Sequence, residues 1–126
     1  MFRSCSGIFM ALALGAFGSG CRVNSPPEVT VGPRPNSLTA DPGEVLMMQL
    51  EVNDPDGDDM TYEWAQVPAQ PAGRFSDIHA RNPTWTAPDV AETSLFNITV
   101  TVQDSEGAGV LGTTPSVVVR VPPPAP

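Results

Sequence analysis

Apolar and polar residues alternate at period two in seven short runs: Glu28 to Val31, Val45 to Asn53, Met60 to Val67, Arg74 to Ile78, Pro83 to Thr86, Leu95 to Gln103 and Val117 to Val121. In an extended strand that period sends successive side chains to opposite faces, so each run offers one wall to a core. Leu46, Met48, Leu50 and Val52 share a face. Phe96, Ile98, Val100 and Val102 share another, with Asn97, Thr99 and Thr101 turned away. Tyr62 and Trp64 lie together on the third run, and Val117, Val119 and Val121 on the last. Pro42-Gly43, Pro55 to Gly57, Pro71 to Gly73 and Glu106-Gly107 supply turn chemistry between the runs. No stretch carries helical periodicity of useful length. The pattern predicts an all-β fold, a seven-stranded antiparallel sandwich over residues 28–121.

Composition narrows the classes of function. A chain of 126 residues holds one domain, or one domain plus a processed segment, and so excludes a multidomain enzyme. Fifteen prolines and 11 glycines make loops numerous and stiff, while a 40% apolar fraction still builds a core. Fourteen acidic against six basic residues, all arginine, give a net charge of -8. That balance lacks the phosphate-neutralising surface of a nucleic-acid binder, so no nucleic-acid partner is expected.

Met1 to Gly20 reads as an export signal. Arg3 supplies the positive start, Ile8 to Phe17 an uncharged apolar run, and Gly18-Ser19-Gly20 a small-residue exit. Ten helical residues reach only ~15 Å, half of the ~30 Å hydrocarbon core, so the run is too short to remain as a span. Ser19-Gly20 directly before Cys21 resembles a bacterial lipoprotein signal, although Gly18 stands where that family usually has an aliphatic residue. The resemblance implies lipidation of Cys21 and a membrane held through the lipid, and Arg22 in the next position implies the outer membrane. An ordinary secretory signal cut nearby would instead leave Cys21 a free thiol. Residues 21–27 then read as a tether and Pro122 to Pro126 as a proline-rich tail. Cys5, the other cysteine, would leave with the leader, so the fold must hold without a disulfide.

Asp54-Pro55-Asp56-Gly57-Asp58 followed by Thr61-Tyr62-Glu63-Trp64, then Gly73 to Asp77, then Pro83-Thr84-Trp85-Thr86-Ala87-Pro88, then Phe96 to Asp104 with Ser105-Glu106-Gly107, resembles the bacterial immunoglobulin-like domains related to polycystic-kidney-disease (PKD) repeats. The likeness spans roughly Pro26 to Val121. Trp64-Ala65-Gln66 replaces the Asp-Phe-Gly-Asp-Gly turn of the narrow PKD pattern, which makes the chain a PKD-like relative. The resemblance implies a non-catalytic spacer, adhesion module or carbohydrate-associated domain, meeting a protein or glycan partner at the cell envelope.

The acids Asp54, Asp56, Asp58 and Asp59 are the strongest chemical signal. An immunoglobulin-type topology brings Asp104 and Glu106 to the same end of the sandwich. The preferred reading is that these acids form turns. The second is a calcium site at Asp54, Asp56, Asp58 and Asp104, since calcium takes six to eight hard oxygens. It is not an EF-hand, because the twelfth position from Asp54 is Ala65. With calcium bound, the module would be a calcium-dependent adhesion or carbohydrate-contact domain. Trp64 is assigned to the core, as is Trp85, for which a sugar-stacking surface is the alternative. His79, close to Ser76 and Asp77, invites comparison with a hydrolase, but no Gly-x-Ser-x-Gly elbow accompanies it. A single histidine also leaves nothing for tetrahedral zinc. The reading is therefore no enzyme, with a secreted hydrolase accessory protein as the remaining rival.

Overall fold

A computed structural model describes residues 23–121, which form nine β-strands and no helix. The leader at 1–20, the lipidation position Cys21 and the tail at 122–126 lie outside the described residues. The strands are β1 (Glu28–Pro35), β2 (Thr39–Ala40), β3 (Val45–Asn53), β4 (Met60–Val67), β5 (Arg74–Phe75), β6 (Thr84–Thr86), β7 (Ser94–Asp104), β8 (Gly109–Thr113) and β9 (Val117–Val119). One sheet runs β1-β3-β6-β5. The other runs β2-β9-β7-β4, with β8 also paired to β7.

The alternation read from sequence is the alternation of burial. Leu46, Met48 and Leu50 on β3 face Phe96, Ile98, Val100 and Val102 on β7 across the interior, joined by Val117 and Val119 from β9. Val121 lies beyond the last strand and is largely exposed, so the final wall has two valines where three were expected. Two aromatic pairs link the sheets. Trp85 of β6 meets Phe96 of β7 at 5.8 Å between ring centroids, and Trp64 of β4 meets Phe75 of β5 at 6.4 Å. Such tilted contacts contribute beyond their buried area.

Nine strands stand where seven were expected, because two carry no readable period. β2 is two residues long and pairs with β9 in parallel, through Thr39 opposite Val118 and Ala40 opposite Val119. β8 reads Gly-Val-Leu-Gly-Thr, and its glycine has a steric cause: a Cβ on Gly112 would stand 2.7 Å from Cδ of Pro33. β1 runs on to Pro35 through two irregularities in its pairing with β3. Gly32 sits within the second, between Val31 and Arg34, with φ +80°, and a Cβ there would strike the Gln49 carbonyl. The run ending at Ile78 stops at Phe75, since Asp77 to Ala80 turns on itself with Ala80 N–H donating to the Asp77 carbonyl.

Candidate functional site

Two acidic turns of one design stand at one end of the sandwich. After β3, Asp54 Oδ1 accepts the Asp56 N–H at 2.8 Å and the Asp54 carbonyl accepts the Gly57 N–H at 2.9 Å. From the last residue of β7, Asp104 Oδ1 accepts the Glu106 and Ala108 N–H groups, each at 2.9 Å, and its carbonyl accepts that of Gly107. Gly57 (φ +75°) and Gly107 (φ +92°) take the left-handed conformation that closes each turn. The pattern Asp-x-acid-Gly is common to both. Met60 on β4 pairs with Asp104, which brings the β3–β4 loop beside the second turn.

The turn-forming reading of the acids is thus realised at Asp54 and Asp104. Asp54, Asp56 and Asp58 also converge: one carboxylate oxygen from each lies within 4.8 Å of the others. Asp104 is outside that trio, with Oδ2 accepting from Asn24 Nδ2 at 2.8 Å. Its carboxyl is held below the usual aspartate range, chiefly by the Asn24 hydrogen bond and then by backbone N–H groups of the turn. The Asp58 carboxyl is pushed up, first by partial loss of hydration and then by the charges of Asp54, Asp104, Glu106 and Asp56.

Sequence reading missed Asn24 and Ser25, which it left in a tether. The segment lies against the acidic end: Asn24 donates to Asp104 and the Ser25 N–H to Asp56 Oδ2. Two side chains that can form Asx or Ser turns, just ahead of a strand, were the available signal.

The other candidates are absorbed by the fold. Trp85 is 0% exposed and its Nε1 donates to Gln66 Oε1 at 3.1 Å, so its sugar-stacking alternative is overturned: no face is open to a ring. Trp64 is buried, with Nε1 donating to the Ala80 carbonyl at 2.7 Å. His79 Nδ1 lies 3.0 Å from the Tyr62 carbonyl, Asp77 Oδ1 accepts the His79 N–H, and Ser76 Oγ accepts the Thr84 N–H. The three residues thus make loop contacts rather than a nucleophile and base pair.

No family model matches the chain. A curated relative, Chitinase A of Pseudoalteromonas piscicida, is 36% identical over 81 residues, covering 64% of this chain and 9% of that protein. Among solved structures, a nucleoside hydrolase-related protein from Saccharophagus degradans associated with carbohydrate metabolism superposes with TM-score 0.61 at 18% identity, over 79% of this chain and 26% of that one. The PKD1 domain of Vibrio anguillarum Epp superposes with TM-score 0.50 at 18% identity, over 79% of this chain and all of that domain. The chain thus spans a small fraction of the chitinase and about a quarter of the Saccharophagus protein, and at these identities the structural likeness speaks for fold alone. Residues 23–121 form a PKD-like, immunoglobulin-like β-sandwich.

Proposed function

We propose that this chain is a non-catalytic immunoglobulin-like module for binding, adhesion or spacing at a bacterial cell surface, exported by the leader at 1–20 and held in the envelope by lipid on Cys21. The observation that carries the reading is the use made of the chemistry-bearing side chains: both tryptophans serve the core, and Ser76, Asp77 and His79 serve loop geometry. What remains outside is surface, including Met47 on β3, Leu95 on β7 and Leu111 on β8. Mass spectrometry of the mature amino terminus, with fractionation of the cells, tests the anchor. An acylated Cys21 in the membrane fraction is expected, and a free Cys21 on a soluble protein would overturn anchoring while leaving the module reading intact.

The match to part of Chitinase A favours a second reading, in which the module accompanies carbohydrate chemistry and contacts a glycan or a glycan-acting partner. Retention of the chain on chitin or another insoluble polysaccharide supports it; passage through a panel of such polymers argues for a spacer or a protein partner. Hydrolysis of any of them, lost in His79→Ala, would refute the non-catalytic assignment.

A further inference from the structure

Beside the middle of β3 lies a cavity of about 290 Å³, shared with the end of β1 and with Asn82 just ahead of β6. Pro35, Met47 and Met48 give it an apolar lining, and Arg34, Asn36, Gln49 and Asn82 supply its polar groups. Each of the three carboxamides has its oxygen fixed by a group that can only donate. Asn36 Oδ1 accepts the Met47 N–H at 2.9 Å, Asn82 Oδ1 the Leu50 N–H at 2.9 Å, and Gln49 Oε1 the Arg34 Nε–H at 3.2 Å. Asn36 is clamped twice, since its own N–H donates to the Met47 carbonyl. With the oxygens so committed, the three amide nitrogens and the terminal guanidinium nitrogens of Arg34 meet no acceptor among the described residues. The one ion pair among those residues joins Arg120 to Asp41, so no carboxylate neutralises Arg34. In a chain of net charge -8, this cavity combines a cation, a surplus of N–H donors and an apolar lining.

Donors without acceptors select an anionic guest rich in oxygen. A guanidinium fork fits both oxygens of a carboxylate, and the neutral carboxamides are left for a carbonyl close behind it. Methionine adapts to a small apolar group of irregular shape. The volume stands at the lower bound of ligand pockets, enough for a short chain end and too small for a folded surface. We propose that this cavity binds the carboxyl terminus of a peptide, with the terminal carboxylate on Arg34, the preceding peptide carbonyl on the carboxamides, and a small apolar last side chain against Met47 and Met48. The assignment deepens the binding reading of the module and rests on it. The anchor and polysaccharide retention are read by separate measurements, so failure at this cavity leaves them standing.

The test is titration of the nitrogen-15-labelled full chain in mild detergent with N-acetyl-alanyl-alanine, its carboxyl amide and acetate, followed by NMR. The side-chain resonances of Arg34 Nε and of the three carboxamides report on the cavity directly. Those of N-acetyl-alanyl-alanine are expected to shift and saturate with a midpoint of ~1 mM, as suits a ligand of that size. The carboxyl amide and acetate should each bind about tenfold more weakly or worse, the first for want of the anion and the second for want of the carbonyl. Asn36→Asp and Asn82→Asp keep the oxygen that accepts from β3 and lose only the donor, so both should fold and bind about tenfold more weakly or worse. Arg34→Gln should do the same, whereas Arg74→Gln, an equal change of net charge on β5, should bind as the wild type does. No saturating shift up to about 20 mM would overturn the site. Equal binding of the carboxyl amide would overturn the role of the carboxylate, and equal binding of acetate that of the peptide unit. Undiminished binding by Arg34→Gln and both aspartate variants, or equal weakening by Arg74→Gln, would overturn the assignment to these residues.

Discussion

Gln66 shows how much one side chain can organise. Its Nε2 donates to the Pro68 and Pro71 carbonyls, while Oε1 accepts from Gly73 N–H and from the buried Trp85 indole. Gln66→Leu removes the Oε1 acceptor and the Nε2 donor while keeping bulk. It should cost about 1 to 3 kcal/mol in urea unfolding, the penalty of an unsatisfied buried donor. Asp104 carries a pH signature. Its folded carboxyl is more acidic than the unfolded one, so its contribution is present above the ordinary aspartate range and lost as pH falls through the depressed folded value. Asp104→Ala should melt below the wild type at pH 7, and the gap should narrow as acid unfolding below about pH 4 is approached. The core role of both tryptophans was legible because Trp64 shares a face with Tyr62 and Trp85 sits in an alternating run. The roles of Asn24 and Ser25 were not, since what they touch lies 80 and 31 residues away along the chain.

At the scale of elements, legibility follows length and period. β3, β4 and β7 each supply four or more alternating positions, and their bounds fall within a residue of those read from sequence. β8 escaped because the glycine that lets β1 approach it reads as loop, and β2 because two residues have no period. The bulged course of β1 is sensitive at its glycine. Gly32→Ala demands both a left-handed backbone and space that the Gln49 carbonyl fills, so it should destabilise by more than ~1 kcal/mol. Unfolding in denaturant should show a lower midpoint at an unchanged slope.

The sandwich holds without a covalent cross-link, for residues 23–121 contain no cysteine. Thermal unfolding should follow one cooperative transition, by β-type circular dichroism and by tryptophan fluorescence alike, and should not move with reductant. Trp85→Ala, at the seam between sheets, should lower stability by about 3 to 5 kcal/mol, read from the denaturant midpoint. The course of the chain between the sheets has a mechanical result. β1 belongs to one sheet and β2 to the other, and β2 lies parallel to β9, with Val118 N–H held by the Leu38 carbonyl and Arg120 N–H by that of Ala40. Tension drawn through the two ends of the domain loads those bonds in shear, so they share the force and rupture together instead of unzipping one by one. A patch only two residues long is thereby placed to bear load when the domain is stretched.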